Sequence, residues 1–184
     1  MSRLDKKKIL ITQSQDYMGP AITDLFQAEG AHLICKQGPV PGQGSLEDYA
    51  ADCSDIDILI ANLAHDPCNS PVSNILDADW QALFDSMVHP LMVLIRHFAP
   101  IMAARGHGKI IAITSAAPLR GIPGSTAYCA ARGAQNAFIR ACGLEYAPEN
   151  VQINAIAQNY VSNPVYYPEE LVNSERFQTH LKRN

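Results

Sequence analysis

Three residues in the second half of the chain have side chains and a spacing that suit proton transfer. Ser115 follows a short apolar run, Ile110–Thr114, which predicts a buried strand. Tyr128 and Arg132 are four residues apart within a helical pattern from about Thr126 to Tyr146, so they share one face of that helix. Because sites in parallel α/β sheets lie outside the carboxyl ends of the strands, we expect the serine to meet the other two side chains there.

These three side chain types suit chemistry at an alcohol. A tyrosine phenol titrates near ~10, so little of the basic phenolate exists at neutral pH. A permanently charged guanidinium favours the phenolate through Coulomb attraction and hydrogen bonding. A serine hydroxyl can donate to the oxygen that the tyrosine also reaches and stabilise charge on it. The sequence therefore predicts a catalytic trio that takes a proton from an alcohol or gives one to an alkoxide. The alternative is a loop-capping serine near an ordinary exposed Tyr–Arg pair.

Alternating strand and helix patterns supply the elements that must position this trio. The predicted strands are residues 8–12, 31–35, 57–62, 110–114 and 151–157, and the predicted helices are 19–29, 46–51, 80–104 and 126–146. Asp77 or Asp79 is expected to cap the long third helix, with a bend near Pro90 or Pro100. A loop rich in Pro and Gly is expected between Ser115 and the last helix. The alternation predicts an α/β fold with a three-layer, doubly wound parallel sheet.

Composition and charge exclude several classes of protein. A chain of 184 residues with 47% hydrophobic and 17% charged residues predicts a single globular domain over residues 1–184. Its net charge of −4 gives no basic footprint for nucleic acid or an anionic membrane. Arg96 and His97 interrupt the longest apolar stretch, so we expect no membrane span. The five cysteines show no CxxC spacing and no metal-like cluster accompanies them, which favours reduced thiols, no metal and a cytoplasmic protein.

The strand, Ser115, the Pro/Gly loop and Tyr128-Cys-Ala-Ala-Arg132 resemble the short-chain dehydrogenase/reductase superfamily, whose motif is Ser followed by Tyr-x-x-x-Lys. Arg132 stands where that Lys belongs, and in the family the Lys also binds the nicotinamide ribose. Tyr-x-x-x-Arg with an upstream Ser instead resembles the halohydrin dehalogenases, which are cofactor-independent relatives. The resemblance covers nearly the whole chain and implies a Rossmann-like fold and a homo-oligomer, either a dimer or a tetramer.

Two parts of the family's plan are missing from this sequence. Between Cys35 and Asp57 there is no room for a further strand plus a full helix. The chain also stops at Asn184, where relatives continue with another helix and a final edge strand. We favour a C-terminally incomplete sequence over a partner that covers the exposed edge.

The first strand–helix turn departs from the family's pattern for cofactor binding. That pattern, Thr-Gly-x-x-x-Gly-x-Gly, lets backbone approach a pyrophosphate at a helix N-terminus. Here Gln13 and Tyr17 occupy the first two glycine positions of Thr12–Gly19, and Asp16 adds a charge that repels phosphate. The second strand also ends without the acidic residue that binds an NAD ribose. We therefore expect no nicotinamide cofactor, with a divergent but working cofactor site as the alternative.

The space left by a nicotinamide is expected to hold a small anion. The segment after the fifth strand is similar to the halide site of the dehalogenases, where backbone N–H groups and aromatic edges hold the ion. The candidate residues for binding halide or substrate are Tyr17, Gln158, Asn159, Tyr160, Val161 and Tyr167. The alternative is that these tyrosines only pack a loop against the core.

The resemblance implies a carbon–halide lyase. Tyr128, held as phenolate by Arg132, would remove the hydroxyl proton of a vicinal haloalcohol while Ser115 hydrogen-bonds the oxygen. The alkoxide then displaces halide and forms an epoxide, and in reverse small anions open the epoxide. The expected partners are a small haloalcohol or epoxide and a halide or other small anion. Two alternatives stay open: an NADP-dependent short-chain reductase with Lys36 as its phosphate contact, and a non-catalytic relative that acts in binding or assembly.

Overall fold

Strands and helices alternate along the chain at the positions that the sequence predicts. The computed structural model describes residues 2–41, 46–159, 170 and 173–175. The strands are β1 (Lys8–Ile11), β2 (His32–Cys35), β3 (Ile58–Asn62), β4 (Gly108–Ser115) and β5 (Val151–Gln158). The helices are α1 (Gly19–Ala28), α2 (Leu46–Tyr49), α3 (Asp77–Leu83), α4 (His89–Ala104), α5 (Ala117–Arg120) and α6 (Thr126–Tyr146).

The five strands form one parallel sheet in the order β2-β1-β3-β4-β5. All five residues of β3 are buried, as expected for a central strand that is covered on both faces. The strand order changes direction at β1, since β2 lies on one side of it and β3 on the other. The predicted doubly wound, Rossmann-like α/β architecture is therefore confirmed, and its switch point lies between β1 and β3.

The sheet separates two apolar layers. Ile9 and Ile11 of β1 pack with α1 residues on one side. Leu10, between them, packs in the larger cluster on the other side with residues of α4 and α6, among them Phe98 and Ile139. Successive side chains of a strand point to opposite faces, so a run such as Ile9-Leu10-Ile11 serves both layers.

The expected gap after β2 is present. Among the described residues between β2 and β3, which are 36–41 and 46–57, the only regular element is the four-residue helix α2. The strand and full helix that relatives insert there have no counterpart in those residues. The final edge strand that the family adds would follow residues outside the described part of the chain.

A π-helical turn, Phe84–Val88, joins α3 to α4. It ends directly before His89 and Pro90, and a proline lacks the N–H that the preceding turn of an α-helix would use. Pro100 lies inside α4 without interrupting it. The predicted aspartate cap is wrong, because Leu76 precedes the helix and no side chain caps it. Asp77 and Asp79 instead lie in the first turn, where the helix dipole favours negative charge.

The helical stretch Asp77–Ala104 is long and apolar enough to cross a membrane by length and composition alone. We expected no membrane span from the sequence, because Arg96 and His97 divide the apolar run of this stretch. In the structure its apolar residues Leu91, Leu94 and Phe98 are fully buried in the cluster against the sheet. This stretch is therefore a core helix of the α/β fold.

Candidate active site

The predicted trio borders one cavity of about 470 Å³ at the carboxyl end of the sheet. Ser115 is the last residue of β4, and Tyr128 and Arg132 lie in the first two turns of α6. The turn between β1 and α1 contributes another wall of the cavity, where Tyr17 lies. The cavity therefore occupies the position at which α/β sheets bind ligands.

Arg132 contacts Tyr128 directly. Its Nε donates a hydrogen bond to the Tyr128 Oη over 3.1 Å, and the guanidinium carbon lies 5.2 Å from the centre of the phenol ring. The i, i+4 spacing on α6 places the two side chains against each other. A guanidinium in this position can stabilise negative charge on the phenol oxygen.

The rest of the Arg132 side chain is buried and anchored by neutral oxygens. Its Nη1 donates to the backbone carbonyls of Leu63 and Ile113, at 2.9 and 3.1 Å, and to Gln135 Oε1 at 2.9 Å. Only 5% of Arg132 is exposed. None of the ion pairs among the described residues includes Arg132. Within the described part of the chain its charge is therefore solvated by dipoles rather than cancelled by a carboxylate, and the acidic group that it contacts there is Tyr128.

Ser115 can donate a hydrogen bond into the cavity. Its Oγ accepts the backbone N–H of Ala117 over 3.1 Å, and within the described part of the chain its own hydrogen has no acceptor. Asn136 of α6 donates to the Ser115 carbonyl over 3.0 Å and ties the strand end to the helix. Thr114 also borders the cavity, but its hydroxyl oxygen is buried and has no partner among the described residues. The serine is therefore the hydroxyl that can bind a substrate oxygen.

The loop that was predicted before α6 contains a short helix, which corrects that prediction. α5 covers Ala117–Arg120 and ends at Gly121, whose φ of 73° is in the left-handed region. Pro118 lies in its first turn, where a missing N–H costs no hydrogen bond. The helix brings Arg120 to the cavity, and sequence patterns gave no signal for that position because four residues are too few to show periodicity.

The first strand–helix turn keeps the backbone of a glycine-rich loop but has side chains at two of its glycine positions. Gln13 and Tyr17 have φ values of 44° and 55°, in the left-handed region that favours glycine. Gly19 is retained, because a Cβ there would lie 2.4 Å from the Gln13 carbonyl oxygen. The Gln13 Oε1 accepts the backbone N–H of Ala64 over 3.0 Å and so bridges the turn to the segment after β3. A glycine-rich turn binds a pyrophosphate through bare backbone, whereas here two of its positions carry side chains.

Tyr17 is a neutral wall of the cavity. Burial raises the pKa of its phenol, the carboxylates of Asp66 and Asp16 raise the pKa further, and Arg132 opposes them. A hydrogen bond with Asp66 acts in the same direction as burial. Tyr17 therefore stays protonated and does not suit the role of a base. The other tyrosine at the cavity, Tyr128, is the one that accepts a hydrogen bond from the guanidinium.

Three of the predicted anion-site residues lie at the cavity, namely Tyr17, Gln158 and Asn159. The Gln158 carbonyl accepts the N–H of Ala116 over 2.7 Å. The Asn159 Oδ1 accepts a hydrogen bond of 2.6 Å from Arg120 Nη2. The other predicted members, Tyr160, Val161 and Tyr167, lie outside the described residues.

Further residues at the site belong neither to the trio nor to the predicted anion site. His65 borders the cavity, and its Nδ1 lies 2.8 Å from the carbonyl oxygen of Asp66. Gln135 contacts Arg132 from three positions further along α6, a spacing that could have indicated the contact. Among the described residues no group of three or more His, Cys, Asp or Glu side chains could hold a metal ion.

Comparison with known proteins agrees with this architecture. The family model for short chain dehydrogenases matches residues 5–169. Nodulation protein G of Rhizobium sp. (strain N33) is 31% identical over 188 aligned positions, which cover 89% of this chain and 76% of that protein. A solved structure described as a dehalogenation enzyme is 25% identical, with a TM-score of 0.82, and the match covers 100% of this chain and 84% of that one.

The fold is also shared with a dehydrogenase that was solved with NADP. Gluconate 5-dehydrogenase from Burkholderia cenocepacia J2315, solved in complex with NADP and tartrate, has a TM-score of 0.80 at 23% identity. That match covers 98% of this chain and 81% of the other. The family match along most of the sequence, together with the sheet and the Ser–Tyr site described above, establishes that this chain belongs to the short-chain dehydrogenase family.

Proposed function

We propose that this family member is a halohydrin dehalogenase, a lyase that converts vicinal haloalcohols to epoxides. The observation that carries the proposal is the Arg132 Nε bond to Tyr128 Oη, made by a guanidinium that no carboxylate neutralises within the described residues. This arrangement favours a phenolate base at an alcohol site. The similarity to the dehalogenation enzyme supports the same function.

The reaction proceeds in one displacement. The Tyr128 phenolate takes the hydroxyl proton of the substrate, and Ser115 donates a hydrogen bond to the same oxygen. The alkoxide attacks the neighbouring carbon from the side opposite the halogen, the carbon–halogen bond breaks, and the halide leaves with the electron pair. The products are an epoxide and a halide ion, and the proton passes from the Tyr128 phenol to water. A positioned base of this kind contributes about 10²–10⁴-fold to a rate.

The cofactor that most of the family uses does not fit the residues present. Gln13 and Tyr17 hold left-handed backbone at two positions where the family's cofactor-binding pattern has glycine, so each adds a side chain where that pattern offers bare backbone to the pyrophosphate. The Gln13 side chain is in addition held in place by its bond to the Ala64 N–H. The proposed reaction therefore needs no nicotinamide, and none of its steps involves a metal ion.

The halide is proposed to leave toward the wall formed by Tyr17 and the segment after β5. The neutral Tyr17 ring offers a positive edge, and Gln158 and Asn159 begin the segment that would supply backbone N–H donors. Tyr160, Val161 and Tyr167 complete the proposed site. Its ligands are small molecules: a haloalcohol or epoxide, and a halide or other small anion.

An NADP-dependent reductase is the second candidate. The match of residues 5–169 to the family model for short chain dehydrogenases favours it. In that case Lys36, which lies at the end of β2 with its Nζ 5.3 Å from the centre of the Tyr49 ring, would be the phosphate contact. This candidate requires Gln13 and Tyr17 to move aside.

The deciding experiment measures proton release from a vicinal bromohydrin with a pH indicator, with and without NADP. We expect release that needs no NADP, equals the bromide formed, and is lost in Tyr128→Phe. Tyr146→Phe is the matched control, because Tyr146 lies on the same helix and packs in the core cluster away from the cavity. Activity that depends on NADP, with a ketone as product, would establish the reductase instead.

A further inference from the structure

Gln135 lies behind the proposed base and joins Arg132 to a second helix. Its Oε1 accepts Arg132 Nη1 over 2.9 Å, and its Nε2 donates to the Met87 carbonyl over 2.8 Å. The residue is 1% exposed. Both ends of the amide are therefore used, one by the guanidinium and one by backbone.

The acceptor for Gln135 lies at an irregular place in the fold. Met87 belongs to the π-helical turn Phe84–Val88 that precedes Pro90. Such turns interrupt the regular i, i+4 hydrogen-bond ladder of a helix and leave backbone groups available for other partners. The π-turn thus supplies a carbonyl that fixes the orientation of the Gln135 amide, with the Oε1 toward Arg132.

We infer that Gln135 is a positioning residue that holds the Arg132 guanidinium against Tyr128 while leaving its charge uncancelled. The expected kinetic effects rest on the proposed function, whereas the contact between Gln135 and Arg132 rests on the geometry alone. A glutamate has nearly the same shape, but it would place a carboxylate at 2.9 Å from the guanidinium. The guanidinium would then stabilise that carboxylate as well as the Tyr128 phenolate. A neutral amide at position 135 therefore leaves the guanidinium charge available to stabilise the Tyr128 phenolate.

Other titratable or charged groups near the site set the background for this test. Tyr17, His65 and Arg120 border the same cavity as Arg132 and Tyr128, and the carboxylates of Asp16 and Asp66 act on Tyr17. None of them is changed in the variants below. A difference between the variants therefore reports on position 135.

The test compares Gln135→Glu, Gln135→Met and a control, Gln27→Glu, in the pH profile of kcat for bromohydrin conversion. Gln27 is exposed on α1 and does not border the cavity, so Gln27→Glu adds the same charge away from the site. We expect the acidic limb of the profile to move up by about one pH unit or more in Gln135→Glu, because an added carboxylate beside a cation shifts titrations by that amount. Activity should return at high pH. Gln135→Met should move the limb in the same direction by less, and Gln27→Glu should not move it.

A direct readout separates this inference from the proposed function. The near-ultraviolet absorbance of tyrosinate is titrated in each variant, and the signal of the same variant carrying Tyr128→Phe is subtracted. We expect the remaining transition to move to higher pH in Gln135→Glu, whether or not a bromohydrin is converted. A transition that moves in a protein without dehalogenase activity would support the role of Gln135 and overturn the proposed function.

A merely structural role for Gln135 would give a different pattern. Both variants would then lower kcat by the same factor at every pH, with the limb and the tyrosinate transition where the wild type has them. That result would overturn the inference. If Gln135→Glu does not fold, as seen by circular dichroism, Gln135→Met carries the same test and an unmoved limb in it has the same meaning.

Discussion

Replacing Arg132 by lysine tests the role of the guanidinium most sharply, because it keeps the charge and changes the donors. In the wild type the two N–H groups of Nη1 share three acceptors, which are the carbonyls of Leu63 and Ile113 and the Gln135 amide oxygen. Nε serves a fourth acceptor, Tyr128 Oη, over 3.1 Å. A lysine ammonium has three hydrogens in all. If it keeps the three buried anchors, no donor is left for the tyrosine.

The size of the effect follows from that count. A hydrogen bond to a charged group contributes about 1.5–3 kcal/mol. Since one pH unit corresponds to ~1.36 kcal/mol of differential stabilisation, the loss of the Tyr128 contact should move the acidic limb of kcat up by about 1–2 pH units. The remaining positive charge keeps the variant active above that range. The lysine variant should therefore be slow at neutral pH and approach the wild-type rate in alkaline buffer.

The assay is a pH-stat titration of proton release from a bromohydrin over a wide pH range. Arg140→Lys is the control, since Arg140 is exposed on the same helix and does not border the cavity. An acidic limb in Arg132→Lys that coincides with that of the wild type would refute the phenolate argument. So would equal losses at all pH values, because they would point to a packing defect rather than to a lost donor.

The remaining predictions concern single residues. Tyr128→Phe should lower bromohydrin conversion by about 10²-fold or more, because it removes the base, and initial rates of bromide release would show this. Tyr17→Gly should weaken inhibition by bromide, measured as a higher inhibition constant. The same change relieves a left-handed backbone conformation, which costs a non-glycine residue about 1–2 kcal/mol of stability. Tyr49→Phe should stabilise the protein by about 1 kcal/mol in urea denaturation, because the buried Tyr49 hydroxyl has no partner among the described residues. Burial also raises the pKa of Tyr49, so the wild type should lose stability as the pH rises above the ordinary tyrosine range near ~10, and the phenylalanine variant should lose less. Equal alkaline losses in the two proteins would contradict that assignment.

Local spacing explains why the proximity of Ser115, Tyr128 and Arg132 could be predicted from the sequence. The Tyr128–Arg132 contact depends on one helix turn, and α6 has the bounds that its pattern predicts, Thr126–Tyr146. Ser115 ends a strand whose apolar run is continuous, and parallel strands bring their carboxyl ends to one edge of the sheet. These rules use residues that are near in sequence or a topology that follows from strand–helix alternation.

The surroundings of the trio could not be found in the same way. The Arg132 contacts with the Leu63 carbonyl and, through Gln135, with the Met87 carbonyl join residues that are distant in sequence, and they use backbone oxygens. Any residue type provides such an oxygen, so composition and periodicity carry no signal for it. The position of Met87 depends further on the π-turn before Pro90, whose carbonyls a pattern of side chains does not locate.

The two departures from the family's pattern have one physical explanation. The family resemblance implies that the lysine of relatives contacts both the tyrosine and a nicotinamide ribose, in which case the ligand supplies acceptors for the cation. With side chains on Gln13 and Tyr17 in the first turn, a buried cation at position 132 needs acceptors from the protein. The guanidinium meets that need, because Nη1 reaches three protein oxygens while Nε still reaches Tyr128. The filled turn and the arginine therefore depend on each other. Restoring glycine at positions 13 and 17 without restoring lysine should not by itself give nicotinamide binding, which calorimetry with NADP on the double variant would check.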